Sequence, residues 1–461
     1  MQFLYDLFQT LLNAGPTVLL PLIILAVGLV FGVKPAKAFR SGLTVGIGFA
    51  GIKLVINLLS GSLGPAAQAM VENWGFSLDA LDVGWGTIAA VTWASPIIPI
   101  LIFAILAVNL GMLVIKKTNT LDVDIWNYHH MAIVGVMTYF VTKNIFLGVG
   151  ASIAMAIITF KLSDWSADMV EDYFGLPGVS LPTVSALSSL IVAVPLNWLL
   201  DRIPGVNKLN FSLKDAKKYL GFFGEPMIMG LILGGVIGAL AGYDFTNIAN
   251  VAVNMAAVLV LIPKMTALFM EGLMPISEGA KNFTKKKFKG RELYIGLDAA
   301  VVSGNPDVIT TSLIVIPLTI LLAVILPGNR VLPFADLAVV PFRVAMVVAL
   351  TRGNLFKNVV IGLCTTAAIL LAGTQTAPVL TELAQSVGID LSLAAGALIS
   401  SFAATSLTQS FIIFMVFTGN IAITLPLLIV GFAIVWYYME VVKPKKDAVK
   451  LHVVDTEEPT A

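Results

Sequence analysis

Asp298 and Asn305 stand seven residues apart in Gly296-Leu-Asp-Ala-Ala-Val-Val-Ser-Gly-Asn-Pro-Asp307, a polar stretch that opens an apolar run lasting to Leu326. Read as continuous helix, that spacing puts both side chains on one face, two turns apart. A carboxylate beside an amide suits a polyol, because neighbouring hydroxyls donate to the carboxylate and share the amide's donor and acceptor. A carboxylate in hydrocarbon costs about 2.5 kcal/mol or more, so Asp298 and Asp307 must face protein, water or a ligand. For Asp298 the alternative to a ligand contact is a helix cap or ion pair. Asp307 follows Pro306 and is equally suited to capping the next helix. Ser-Gly-Asn-Pro also frees backbone groups at membrane depth, which is tolerated only inside protein or along a cavity, so a broken helix is expected.

Other candidates gather around a second polar break. Ala89-Ala-Val-Thr-Trp-Ala-Ser-Pro96 overlays Ala299-Ala-Val-Val-Ser-Gly-Asn-Pro306 without a gap, which nominates Thr92, Trp93, Ser95 and Ser303 beside Asp298, Asn305 and Asp307. His129 and His130 open a later span; adjacent helical side chains diverge by about 100°, so one of them at most faces a site. Helix packing is the alternative for either. Glu271, Glu278 and Lys264 form one polar stripe with a seven-residue spacing, fitted to contact or gate a substrate or else to form buried ion pairs. Ser180 lies in a Pro- and Gly-containing segment read as the tip of a re-entrant hairpin, and Asp390 and Ser392 in a second tip are weaker candidates. Cys364 sits in an apolar run and reads as core.

The elements that must position these residues are membrane helices. A chain that is 58% hydrophobic and 12% charged falls among polytopic membrane proteins, well away from soluble globular composition. A net charge of +1, three His and one Cys offer no basis for nucleic-acid binding, a disulfide framework or a thiolate metal site. No Gly-rich phosphate loop with Lys, Ser/His/Asp nucleophile set or zinc helix is present, so neither a cofactor, a metal nor a catalytic residue is expected.

Carrying the offset 306 − 96 = 210 outward pairs Pro16 with Pro226, Gly28 with Gly238, Gly32 with Gly242, Pro65 with Pro275, Asn144 with Asn354 and Gly178 with Gly388. The chain is therefore read as a duplication. Residues 1–205 form the first repeat, 206–222 an amphipathic cytoplasmic linker, 223–410 the second repeat, 411–440 a last transmembrane helix and 441–461 a cytoplasmic tail. Each repeat supplies five spans and one re-entrant hairpin, at 176–199 and 386–410, giving an all-α polytopic protein of about 11 transmembrane helices. Five is odd, so the repeats must be inverted with respect to each other. Basic clusters at Lys34 to Arg40, Lys116 to Lys117, Arg202 to Lys218, Lys281 to Arg291 and Lys443 to Lys446 all fall in the cytoplasm when the N-terminus is outside and the C-terminus inside. The loop with Glu72, Asp79 and Asp82 then faces outward. Inverted repeats whose broken helices converge near the middle of the membrane are a common way to build a substrate site.

Three motifs are familiar. Glu271-Gly-Leu-Met-Pro-Ile-Ser-Glu-Gly-Ala-Lys281, Tyr294-Ile-Gly-Leu-Asp-Ala-Ala-Val-Val-Ser-Gly-Asn-Pro-Asp-Val-Ile309 and Asp122-Val-Asp-Ile-Trp-Asn-Tyr-His129 resemble the galactitol-family enzyme IIC of the phosphoenolpyruvate-dependent sugar phosphotransferase system. The chain is more distantly similar to the L-ascorbate branch. That branch implies a core with broken helices and two re-entrant hairpins, a V-shaped domain mediating a homodimer, and an elevator-like movement of the core. The resemblance also implies group translocation: this subunit carries the sugar alcohol inward, a separate soluble IIB protein bearing a phosphocysteine phosphorylates it, and IIA supplies the phosphoryl group. It locates the chain in a bacterial inner membrane. The rival reading is a proton- or sodium-coupled secondary transporter of a small polar solute, with Asp298, Glu271 or Glu278 cycling protons.

Overall fold

The computed structural model describes residues 16–30, 32–74, 78–93, 95–122, 124–206, 209, 226–287, 293–333, 335–387, 398–419 and 421–442. The amphipathic linker at 206–222, the basic segment 288–292, the second hairpin tip with Asp390 and Ser392, and the tail beyond 442 lie essentially outside the described residues.

Helices dominate. They are α1 (Pro16–Val30), α2 (Pro35–Trp74), α3 (Trp85–Trp93), α4 (Ile98–Val114), α5 (Ile125–Thr142), α6 (Ile145–Phe174) and α7 (Val184–Leu200). Then come α8 (Pro226–Leu240), α9 (Phe245–Lys287), α10 (Ala300–Ser303), α11 (Pro306–Ile325), α12 (Val340–Thr351), α13 (Leu355–Ser386), α14 (Thr408–Phe417) and α15 (Ile421–Tyr437). Among the described residues six short strands interrupt them: β1 (Ala80–Asp82), β2 (Thr120–Asp122), β3 (Val179–Ser180), β4 (Tyr294–Gly296), β5 (Val331–Leu332) and β6 (Leu398–Ser400). The all-helical expectation therefore needs correcting. Segments of two or three residues carry no period-two pattern that a sequence could reveal, and their pairing partners lie far away in the chain.

The strands make two parallel three-stranded sheets, in the orders β5-β1-β6 and β2-β4-β3. In each, the central strand comes from one half of the chain and both flanking strands come from the other. Gly296 shows why residue type matters here, since a Cβ would meet Asp122 Cα at 2.9 Å and Pro182 Cγ at 2.8 Å. The offset of 210 recurs in the hydrogen bonds as well. Asn144 accepts the Phe146 and Leu147 N–H groups at 2.9 and 3.3 Å to cap α6, and Asn354 accepts Lys357 N–H at 3.0 Å to cap α13. Asp164 of α6 accepts Thr120 N–H at 3.0 Å where β2 begins, and Thr374 of α13 accepts Arg330 N–H at 2.9 Å where β5 begins.

Four helices among the described residues are long and apolar enough to cross a membrane: 145–174, 306–325, 355–386 and 424–442. The last of these is 11% buried, so nearly its whole circumference is available to lipid. The two longest helices differ from the spans expected at 41–60 and 248–271. With 40 and 43 residues, α2 and α9 run about 60 and 65 Å, twice the hydrocarbon thickness. They pack along each other, and Gly272 lets them approach closely: its Cβ would lie 2.9 Å from Ser41 O.

Three further expectations are corrected. The last transmembrane helix read over 411–440 is instead two helices, divided where Gly419 takes φ +114°. Cys364 is exposed, because it falls on the outer face of α13. Asp82, read as part of an outward loop, is fully buried as the last residue of a central strand.

Candidate functional site

Two prolines create the polar breaks. Pro96 and Pro306 lack the N–H that would continue the preceding helix, and α3 and α10 each end three residues earlier, at Trp93 and Ser303. Asn305 is extended, with φ −63° and ψ 134°, and its Oδ1 accepts the Asp307 and Val308 N–H groups at 2.9 and 3.4 Å, so it caps α11. The two-turn spacing expected between Asp298 and Asn305 does not form. Only Ala300–Ser303 are helical between them, and the chain turns at Gly304.

Asp298 follows β4. Its Oδ1 accepts Ala300 N–H at 2.7 Å, and its Oδ2 has a long contact of 3.4 Å with Thr183 Oγ1. Thr183 is the junction of the cluster: its hydroxyl donates to Asn127 Oδ1 at 2.9 Å and accepts Ala299 N–H at 2.8 Å. Asn127 in turn donates to Asp122 Oδ1 at 3.1 Å, while Asp122 Oδ2 is buried without a hydrogen bond. The motif residues Asp122, Asn127 and Asp298 thus close one network across the ends of β2 and β4 and the loop after β3.

Three residues beyond Asn127, on the same face of α5, His130 Nε2 lies 3.1 Å from the carbonyl of Ala403, in the loop after β6. One turn of α5 therefore touches the loops that follow both β3 and β6. His129 sits within that turn, fully buried, with neither ring nitrogen hydrogen-bonded and its ring centroid 5.2 Å from that of His130. A buried imidazole carries one donor and one acceptor that demand partners, so His129 is fitted to meet a hydroxyl-bearing ligand. Asp298 Oδ2 offers a charged acceptor in the same network.

The remaining expected residues are placed differently. Thr92 is buried and spends its hydroxyl proton on Ile88 O at 2.7 Å, Ser95 is buried in the first break, and Trp93 closes α3. Ser180 is buried in β3 with its Oγ 3.0 Å from Thr120 Oγ1, which ties the two flanking strands of one sheet. Asp307 accepts the Tyr173 hydroxyl at 2.5 Å and so fixes α11 to the end of α6. Lys264, Glu271 and Glu278 are exposed on α9, and Glu278 pairs with Lys37 at 3.3 Å. They are neither buried ion pairs nor members of the Asp298 network.

The other sheet carries a second polar cluster that sequence reading missed. Asp82 and Asp336 are fully buried at the end of β1 and in the 3-10 turn Ala335–Val339, and Arg343 of α12 lies 4.1 Å over the Phe402 ring. The available signal was the presence of charged residues inside apolar segments. Asp82 was misplaced by its closeness to the exposed Asp79.

Comparison with known proteins agrees along most of the chain. Residues 10–395 match the model of the EIIC-GAT family, described as the PTS system sugar-specific permease component. The chain is 41% identical over 396 residues to the PTS system galactitol-specific EIIC component of Escherichia coli strain K12, covering 86% of this chain and 87% of that one. The corresponding protein of Escherichia coli O157:H7 matches to the same extent.

Proposed function

The chain belongs to the EIIC-GAT family of PTS sugar-specific permease components, and from that premise we propose that it carries galactitol or a closely related alditol across the bacterial inner membrane for phosphorylation. The identity with galactitol-specific relatives over most of both chains is the observation that carries this reading. The site chemistry agrees with it, because Asp298 Oδ2 and the unpartnered His129 ring offer a charged acceptor and a neutral donor–acceptor pair to successive hydroxyls.

The soluble IIA and IIB components of the system complete the reaction. A phosphate ester carries about −1.5 to −2 charge at neutral pH and cannot return through a site shaped for a neutral polyol, which makes transport one-way without an ion gradient.

The architecture that does this is a pair of inverted repeats, supported by the recurring offset of 210 and by the exchange of strands between halves. The N-terminus lies outside and the C-terminus in the cytoplasm. Two copies form a dimer, and the polar core with its broken helices moves as a body relative to the long pair α2 and α9.

Vesicles containing the purified protein, supplied with the complete phosphoryl relay and phosphoenolpyruvate, test the reading. Labelled galactitol should accumulate inside as its phosphate, and uncouplers of the proton gradient should leave the rate unchanged. Accumulation of free alditol that collapses with the gradient would overturn group translocation in favour of ion coupling.

A further inference from the structure

Arg343 is 3% exposed, yet none of its three guanidinium nitrogens has a hydrogen-bond partner. Asp336 and Asp82, the carboxylates whose charges act on it, direct their oxygens to other donors. Asp82 accepts the Gly84 and Phe402 N–H groups at 3.2 Å and the Asp336 N–H at 2.9 Å. Asp336 accepts Trp85 N–H at 2.7 Å, and the Ser401 hydroxyl and Ala403 N–H at 2.9 Å. Both carboxylates are thus engaged in holding the loop after β6 against β1. The planar fork of five N–H donors is left without an acceptor among the described residues, an arrangement that buried polar groups avoid unless something else fills it.

Its place in the fold says what that acceptor is. Arg343 lies over Phe402, and the next residue, Ala403, gives its carbonyl to His130. The helix that carries Arg343 also packs against α10, the short helix that Asp298 caps. The donors therefore lie beside the loop that touches the turn of α5 carrying His129. One guanidinium against two carboxylates leaves a net charge of −1 when all are ionised, which disfavours an anionic ligand and favours a neutral, oxygen-rich one.

We propose that Arg343 is a further substrate-binding residue, its guanidinium donating to hydroxyl oxygens of the carried polyol beside the Phe402–Ala403 loop. This rests on the polyol reading above. It adds a third recognition group, from the second half of the chain, to Asp298 and His129.

Titration calorimetry of the purified full-length protein with galactitol and each of its monodeoxy analogues tests the contact. For the wild type, removing the hydroxyl that meets Arg343 should weaken binding tenfold or more, since a site built to hydrogen-bond a hydroxyl rejects the analogue lacking it. In R343Q, galactitol should bind at least tenfold more weakly, and the preference over that analogue should fall to nearly one. An R343Q protein that folds and keeps the wild-type preference over every analogue overturns the proposal, leaving Arg343 satisfied by water alone. A wild-type protein that binds no alditol overturns the polyol reading and this contact together. Should R343Q not fold, wild-type protein labelled with 15N-arginine decides: a solvent-shielded Nε–H signal displaced by saturating galactitol supports the contact, and an unmoved set of arginine signals overturns it.

Discussion

The two small sheets are built to one plan and end in opposite electrostatics. At β5-β1-β6, Asp82 and Asp336 are fully buried, saturated by backbone N–H groups and accompanied by Arg343. At β2-β4-β3, Asp122 and Asp298 join a network through Asn127 of α5, the helix that also carries the fully buried His129, and each carboxylate keeps one oxygen without a short hydrogen bond. The first cluster fastens a loop, and the second leaves polar capacity for something that comes and goes. Two similar sheets can differ in this way because a saturated carboxylate adds rigidity, whereas an unsaturated one adds affinity only when a ligand supplies the missing partner.

The largest effect expected from this contrast is on folding at the saturated end. Asp336→Ala removes the acceptor for Trp85, Ser401 and Ala403 and takes away one of the two buried carboxylates whose charge offsets that of Arg343, so thermal or denaturant unfolding in detergent should show a loss of about 3–5 kcal/mol. A change below about 1 kcal/mol would mean that this cluster fastens nothing. At the unsaturated end the order reverses. Asp298→Asn retains an oxygen for Ala300 N–H, so stability should change little, while loss of a charged acceptor worth about 1.5–3 kcal/mol should weaken galactitol binding roughly 10- to 100-fold. Unaltered binding by well-folded Asp298→Asn protein would misplace the site.

A tie within the β2-β4-β3 cluster should give an intermediate value. Asn127→Ala breaks the bridge from Asp122 to Thr183 and should cost about 1–3 kcal/mol of stability, read by the same unfolding measurement. The two strand-starting ties sharpen the comparison further. Asp164→Ala removes a carboxylate that also accepts from Thr118 and Asn119, so it should destabilise by about 2 kcal/mol, against about 1 kcal/mol for Thr374→Val. Equal costs would erase the distinction drawn between the halves.

The smallest effect belongs to the exposed pair Asp79 and Arg330 at the edge of the saturated sheet. Its hydrogen bond to Arg330, the main cause, holds the Asp79 carboxyl below its ordinary value. A lowered folded value means the pair stabilises above the unfolded carboxylate range of about 3.9 and is lost as pH falls through the folded value. Asp79→Asn should therefore leave neutral-pH stability almost untouched and remove a small, salt-sensitive part of the acid dependence. An equally large effect at pH 7 and at pH 3 would contradict that linkage.

Apolar runs, the breaks at Pro96 and Pro306 and the offset of 210, which pairs Asn144 with Asn354, could all be read from the sequence, because each depends on residues near one another in the chain or on a fixed chain spacing. Asp298 could be singled out for the same reason: a carboxylate in an apolar run is costly wherever the run folds. What surrounds it was decided by tertiary structure. Thr183 and Ala403 reach one turn of α5 from two remote segments, and strands of two or three residues exist only because a strand from the other half pairs with them. Asp82 and Asp79, three residues apart, end one buried and the other exposed. Local composition cannot distinguish them, since the difference lies in which distant backbone amides arrive to replace water around the carboxylate.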